Sequence, residues 1–285
     1  MKDERNTQEE TSASITRHYD SLTDEELAED RAWGQFAASQ FPDGSGEQSL
    51  RSNPCPANLN ATPILDHHHI SVRDLAASLR CQHQQHRQLL QAAHRSLVSL
   101  VRPVYSLDES QPASRTLRAG SGSCSQRMAC LEAVARACGI PSRSRVFLVS
   151  GRFWYPRFHL FRAFIPRSIL LVWPQFFFEG RWIDFDELYG SATDLAAKAD
   201  RGFSNDGESI FDAVDHTSVD FMAKTCGAAC APSKFDLSRF ILSDEGFLDT
   251  RDEVFVRFGS FHTTLRGKMF ELLYGGRASF SPSRP

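Results

Sequence analysis

Cys124 closes the run Gly120-Ser121-Gly122-Ser123-Cys124, directly ahead of a helical pattern, and it is the residue whose type and position most invite chemistry. A thiol at a helix N-terminus meets the positive end of the helix dipole. It also meets N–H groups that have no partner within the helix. Both favour the thiolate, the nucleophilic form of cysteine. The same N–H groups suit the oxyanion of a tetrahedral intermediate. The chemistry implied is acyl transfer through a covalent thioester. The competing reading of a lone cysteine is a small buried apolar residue. Gly122 and Ser123 favour the reactive reading, because they let backbone approach the sulfur.

The elements that must hold this thiol follow in sequence. Met128, Leu131, Ala135 and Cys138 fall on one helical stripe, and Glu132 and Arg136 are spaced for an i, i+4 ion pair. Gly139 fits the position just past the helix, and Pro141 prevents its continuation. Cys130 and Cys138 lie inside this helix and are expected to be inert. Residues 145–149 read as a strand, followed by the aromatic stretch 153–158 and then His159. Residues 169–178 read as the next strand, which pairs with 181–185 across a tight turn at Glu179-Gly180. Asp184 and Asp186 lie at the exit of that hairpin, on the same side of the strand by their i, i+2 spacing.

These blocks resemble the transglutaminase-like superfamily, in its bacterial type, a branch of the papain-like cysteine enzymes. The family pattern has G-x-C, a helix, A-R-A-x-G-I-P-x-R, a strand, and then H-A-W-P-E with G-R-W and D downstream. The chain offers Gly122-Ser123-Cys124, then Ala135-Arg136-Ala137-Cys138-Gly139-Ile140-Pro141-Ser142-Arg143. Trp173-Pro174-Gln175, Gly180-Arg181-Trp182 and Asp186 follow in order. The resemblance implies an α+β fold with the nucleophile helix packed on an antiparallel sheet and helical N- and C-terminal extensions. It also implies a Cys-His-Asp triad acting on an amide or thioester. Cys124 matches the nucleophile and Asp186 the acid. The family's histidine, two residues before Trp173, is Leu171 here, and the glutamate after Pro174 is Gln175. His159 is the first candidate for a replacement base and His262 the second. A catalytically silent binding protein for a peptide or small molecule, using the aromatic stretch 153–158, is the alternative.

Around this core the chain divides into three parts. Residues 1–58 carry twelve Asp/Glu against five Lys/Arg and read as a largely disordered acidic arm. One short helix is signalled in it by Thr23 with Glu26, Leu22 with Leu27, and Trp33, Phe36 and Ala37 on one face. Residues 59–190 form the core. The pattern from Val72 to Val101 reads as one helix, with Ser71 and Asp74 as its capping box, and 102–123 as a connector. Residues 191–285 read as a helical extension packed on the core, with helices at 209–223 and 264–274. The charges at 249–255 could reach the site; a solvated face is the reading preferred.

Composition narrows the function classes. The net charge of −3 argues against a nucleic-acid partner, and no segment has the apolar length for a membrane span. The N-terminus shows no secretion signal, so a cytoplasmic location and free thiols are expected of the seven cysteines. The Cys226-x-x-x-Cys230 pair is looser than a redox or zinc motif. His67, His68, His69, Cys81, His83, His86 and His94 are dense, but their spacing matches no zinc signature. No acidic loop has the density calcium needs, so neither metal nor cofactor is expected. The expected partners are an amide, peptide or thioester substrate and an amine acceptor.

Overall fold

The computed structural model describes residues 52–158, 165–190, 209–215, 237–260 and 265–277, with Arg162 and part of an N-terminal helix between residues 23 and 32. Leu22, Leu27, Trp33, Phe36, Ala37, His159, Cys226, Cys230 and His262 lie outside the described residues. Six α-helices longer than one turn and a four-stranded sheet carry the fold among the described residues.

The sheet is antiparallel throughout. Its strands are β3 (Ser142–Ser150), β4 (Ser168–Phe178), β5 (Arg181–Asp184) and β6 (Ile241–Leu248), in the order β5-β4-β3-β6. A separate parallel bridge joins β1 (Arg102–Pro103) to β2 (Ser121–Gly122). β4 and β5 meet at Glu179 and Gly180, with φ of 54° and 73°. Two successive positive φ values make the turn whose twist suits a hairpin, and Gly180 adopts its share without strain. The C-terminal region therefore supplies an edge strand, β6, which a purely helical reading of 191–285 did not include.

Alternation along β3 and β4 sends side chains to two covered faces. Phe147, Val149, Leu171 and Trp173 join the main core. Val146 and Val172 face the other way, against Leu248 and Val254. All nine residues of β3 are buried, as expected of a central strand covered on both sides.

The main core lies between this sheet and helices α1 (Ile70–Gln82), α2 (His86–Leu100) and α4 (Cys124–Ala137). Every residue of α4 from Gln126 to Arg136 is buried. Burying one Leu or Met side chain stabilises by roughly 1.5–3 kcal/mol, so α4 is the structural axis of the fold. Its C-terminus closes as foreseen. Gly139, at φ 80°, donates to Arg136 O at 2.9 Å, and Ile140 N donates to Ala135 O at 2.9 Å. This is the Schellman arrangement.

Several local readings are corrected. The helix expected over 72–101 is two helices, broken at His83, which has φ −131° and ψ 117°. No glycine or proline marks the break; the two halves pack separately on α4 and on each other. The cap of α1 is His69, whose Nδ1 accepts from Ser71 N at 3.2 Å, not Ser71 with Asp74. The connector 102–123 contains a further helix, α3 (Ala113–Ala119), which starts after Pro112. Glu132 and Arg136 turn to other partners. Glu132 pairs with Arg251, and the Arg136 guanidinium reaches the carbonyls of Ala57, Asn60, Ser142 and Asp249. Of the helix expected over 209–223, the described part is the single turn α5 (Ile210–Ala213).

The expected cap of the N-terminal helix is present. Thr23 N donates to Glu26 Oε2 and Glu26 N to Thr23 Oγ1, both at 3.1 Å. Glu26 and Asp30 then pair with Arg152 at 3.1 and 2.9 Å, and Asp30 also accepts from the Ser150 hydroxyl. Acidic residues near the N-terminus thus hold the 3-10 turn Gly151–Arg157. The C-terminal elements α6 (Arg251–Phe258) and α7 (Leu265–Tyr274) complete the fold.

Candidate active site

Cys124 is the first residue of α4. Ser123 caps the helix by a reciprocal pair: its Oγ accepts from Gln126 N at 3.2 Å, and its N–H donates to Gln126 Oε1 at 2.9 Å. The N–H of Ser125 lies in the first turn, where no carbonyl within the helix is available to it. Gly122 is required by a close approach. A Cβ there would stand 2.6 Å from Thr116 Cγ2 on α3. Close packing of α3 on the backbone ahead of Cys124 therefore sets the point at which α4 begins.

Gln126 does more than complete the cap. Its Nε2 donates to Asp108 O at 2.8 Å and to Ser106 Oγ at 3.3 Å. This ties the segment after β1 to the start of α4 and makes it a wall opposite the thiol. Glu271 of α7 holds the same segment from outside, accepting from Ser106 Oγ at 3.0 Å and Leu107 N at 2.8 Å.

Between these parts lies a cavity of about 170 Å³. Cys124, Ser123 and Ser125 contribute from α4 and its cap. Val104, Tyr105, Ser106, Leu107 and Glu109 form the facing wall. Phe153, Trp154 and Phe158 come from the 3-10 turn and its end, and Ile169 to Val172 from β4. Its lining is mostly aliphatic and aromatic, and Glu109 is its only acidic lining residue among those described. Leu171, two residues before Trp173 on β4, lines this cavity with Cys124.

Asp186 does not line the cavity. It opens the 3-10 turn Asp186–Tyr189 that follows β5, and its Oδ1 accepts from Trp173 Nε1 at 3.1 Å. Burial, joined by the charge of Asp184, raises its carboxyl from 3.8 to about 7, against the lowering hydrogen bond from Trp173. The neighbouring Asp184 accepts from Gln175 Nε2 at 2.7 Å. The two acids at the hairpin exit are therefore in separate hydrogen-bonding environments.

The structure thus brings Cys124 and Leu171 together in one cavity and sets Asp186 against Trp173. Cys130 and Cys138 are pushed up to about 12 and about 11 by burial, which keeps them as neutral thiols. None of the described cysteines, Cys55, Cys81, Cys124, Cys130 and Cys138, is in a disulfide.

Sequence reasoning missed three polar residues around the thiol. Arg251, fully buried at the start of α6, donates from Nη1 to Ser125 Oγ at 2.8 Å and from Nε to Glu132 Oε1 at 2.9 Å. The charges at 249–255 therefore include one that reaches α4 and is not part of a solvated face. Ser125 and Glu109 both line the cavity. No local signal marks Glu109 or Arg251, since their partners are distant in sequence. Ser125 was open to inference from its place beside Cys124.

Among the described residues, no group of three or more His, Cys, Asp or Glu is placed to hold a metal ion. No helix among them is long and apolar enough to cross a membrane. His94, the one fully buried histidine of the dense segment, is held by the Tyr189 hydroxyl and Phe211 O, both at 2.6 Å. Burial lowers it to about 4, so it is a neutral core residue.

Comparison with known proteins agrees with this architecture. Residues 74–187 match the family model described as the transglutaminase-like superfamily, a span that begins within α1, runs past β5 and includes both Cys124 and Asp186. No curated protein and no solved structure matches the chain.

Proposed function

Because residues 74–187 carry a transglutaminase-like domain, we propose that the protein is a cysteine acyltransferase or hydrolase acting on an amide or thioester. The observation that carries this reading is the position of Cys124, at the first residue of α4 and on the wall of an apolar cavity. The thiolate attacks the carbonyl carbon and an S–C bond forms. The carbonyl electron pair moves to oxygen, where first-turn N–H groups of α4 stabilise it. Collapse expels the amine or thiol and leaves a thioester on Cys124. Water or an amine acceptor then releases the acyl group. Asp186 and a histidine, His159 before His262, complete the machinery in this reading.

The cavity supports an apolar acyl group. Its volume is close to that of engineered apolar cavities of about 150 Å³, which take a single benzene ring. A charged acyl group would lose its hydration against Phe153, Phe158 and Leu171 without repayment. The test is acylation by benzoyl thioesters, followed by intact mass and peptide mapping. One benzoyl group on Cys124, released by hydroxylamine and absent from Cys124→Ser, supports the reading. Absence of the adduct from the wild-type chain overturns it.

Leu171 favours a second reading. A leucine on the cavity wall adds apolar surface where the family places its base. Under this reading the cavity binds an apolar ligand without turnover. Binding of neutral benzene derivatives that is equal in wild type and Cys124→Ser, with no benzoyl adduct from the thioesters at any pH from 6 to 9, would establish it.

A further inference from the structure

The geometry points to Glu109 as the residue that takes the proton from the Cys124 thiol and returns it to the leaving group, in the place that a histidine at position 171 would otherwise fill. This rests on the acyl-transfer reading above. Glu109 and Cys124 line the same cavity, where Glu109 is the only carboxylic acid among the described lining residues. The carboxyl is fixed by design of the fold. Gln126 holds the carbonyl of the preceding Asp108, and Ser125, next to Cys124, lines the cavity with the acid. Arg251 Nη1 donates to the Ser125 hydroxyl, and Glu132 neutralises Arg251 from behind. The acid and the thiol thus share one cavity with Ser125, which a fully buried ion pair holds in place.

The electrostatics agree with this role. Desolvation raises the carboxyl above its usual range, opposed by the Ser125 hydroxyl and by Arg251. Asp108 on its own segment and Glu271 from α7 raise it further. Tyr105 and Cys124 are the other titratable groups on the cavity wall. In an apolar cavity, a thiol and a carboxyl do not both ionise freely, because the two negative charges repel. With Glu109 as carboxylate and Cys124 as thiol, proton transfer moves the single negative charge from carboxylate to sulfur. During attack the S–H bond breaks, the proton goes to a Glu109 oxygen and the S–C bond forms. When the C–N or C–S bond to the leaving group breaks, Glu109 gives that proton to the departing nitrogen or sulfur. Atoms and charge balance with no other reactant.

The experiment compares acylation of Cys124 in the full-length chain by two benzoyl thioesters, one of thiophenol and one of N-acetylcysteamine. Wild type, Glu109→Gln, Glu109→Asp and His159→Asn are measured from pH 5 to 9. Glu109→Gln should slow acylation by the alkyl thioester by about a hundredfold, within the usual range for a lost general acid–base. The loss should be smaller for the aryl thioester, whose thiolate leaves without a proton. The acidic limb of the pH profile should disappear. Glu109→Asp should restore part of the rate, and it covers the case in which Glu109→Gln fails to fold. His159→Asn should retain the wild-type profile. Loss of the acidic limb in His159→Asn, with its retention in Glu109→Gln, would assign the proton transfer to His159 and overturn this inference. A merely repulsive neighbour would give the opposite sign, with Glu109→Gln faster. Acylation of Glu109→Gln at or above the wild-type rate, while wild type forms the Cys124 adduct, overturns this inference alone. No Cys124 adduct in wild type overturns it together with the acyl-transfer reading.

Discussion

Trp173 donates its indole N–H to Asp186 Oδ1 at 3.1 Å, across the hairpin that joins β4 to β5. Trp173 is buried, and the acceptor satisfies an indole group that would otherwise cost about 1–3 kcal/mol unpaired. The acid is thus held in place by a neutral donor, and burial lifts it to about 7 from 3.8.

That lift sets a pH dependence. A carboxyl whose folded value lies above its unfolded one keeps its proton in the folded state after the unfolded state has lost it. The stability it contributes is fully present below about pH 3.8 and is lost as pH rises through about 7. Asp186→Asn keeps the oxygen that Trp173 needs and removes the ionisation. The variant should gain on wild type as pH rises from 5 to 8, by about 1–3 kcal/mol after allowance for relaxation around the charge. Urea unfolding at pH 5 and pH 8 measures it. An equal difference between the two proteins at both pH values would show that Asp186 is ionised throughout.

Thiol selectivity follows from burial. Cys130 and Cys138, at about 12 and about 11, hold negligible thiolate at pH 6.5. Cys124 opens a helix and lines a cavity, where the dipole and first-turn N–H groups favour thiolate. Iodoacetamide at pH 6.5 should therefore alkylate Cys124 at least about tenfold faster than Cys130 or Cys138. Peptide mapping over a time course reads the order. Slow labelling of Cys124 at the rate of the two buried thiols would show that the helix start confers no reactivity.

The parts of this site that could be read in the sequence are those set by local physics. Gly139 with Pro141, and Glu179 with Gly180, each act within a few residues of themselves, and the helix end and hairpin stand where they were expected, as does the helix start at Cys124. Other features depend on distant partners. Glu132 was given to Arg136 because i, i+4 spacing is visible in sequence. Arg251, 119 positions away from Glu132, takes the pair instead. β6 reads as a polar stretch, ILSDEGFL, and becomes a strand because β3 offers it an edge. The break at His83 has no breaker residue and reflects the packing of two helices on α4.

The Arg251–Glu132 pair should be costly to break from one side. Their side chains are 1% and 0% exposed. Removing one partner leaves an uncompensated buried charge, which typically costs about 3–5 kcal/mol. Arg251→Met alone should lose about that much in urea unfolding, whereas Arg251→Met with Glu132→Gln should recover a substantial part of it. Additive losses in the double variant would mean that the two charges are not coupled.

Leu171 offers the most direct test of what the fold retains. Its side chain lines the cavity that holds Cys124, and Trp173, two residues on, holds Asp186. Leu171→His places an imidazole on that wall, at the position of the family's base. A positioned general base is worth about a hundredfold or more in rate, so a partial fit should still raise Cys124 acylation about tenfold at pH 7.5. The new rate should follow an inflection near the ordinary histidine value of about 6.5, shifted by burial. Exchanging a packed leucine for a polar ring should cost about 1–3 kcal/mol of stability, read in the same urea unfolding. Adding Asp186→Asn to Leu171→His separates two cases. If Asp186 reaches the new ring, the gain falls back; if Trp173 keeps it, the gain survives. An unchanged acylation rate in a folded Leu171→His chain would show that position 171 is too far from the sulfur to serve it, and that proton transfer at Cys124 belongs to another wall of the cavity.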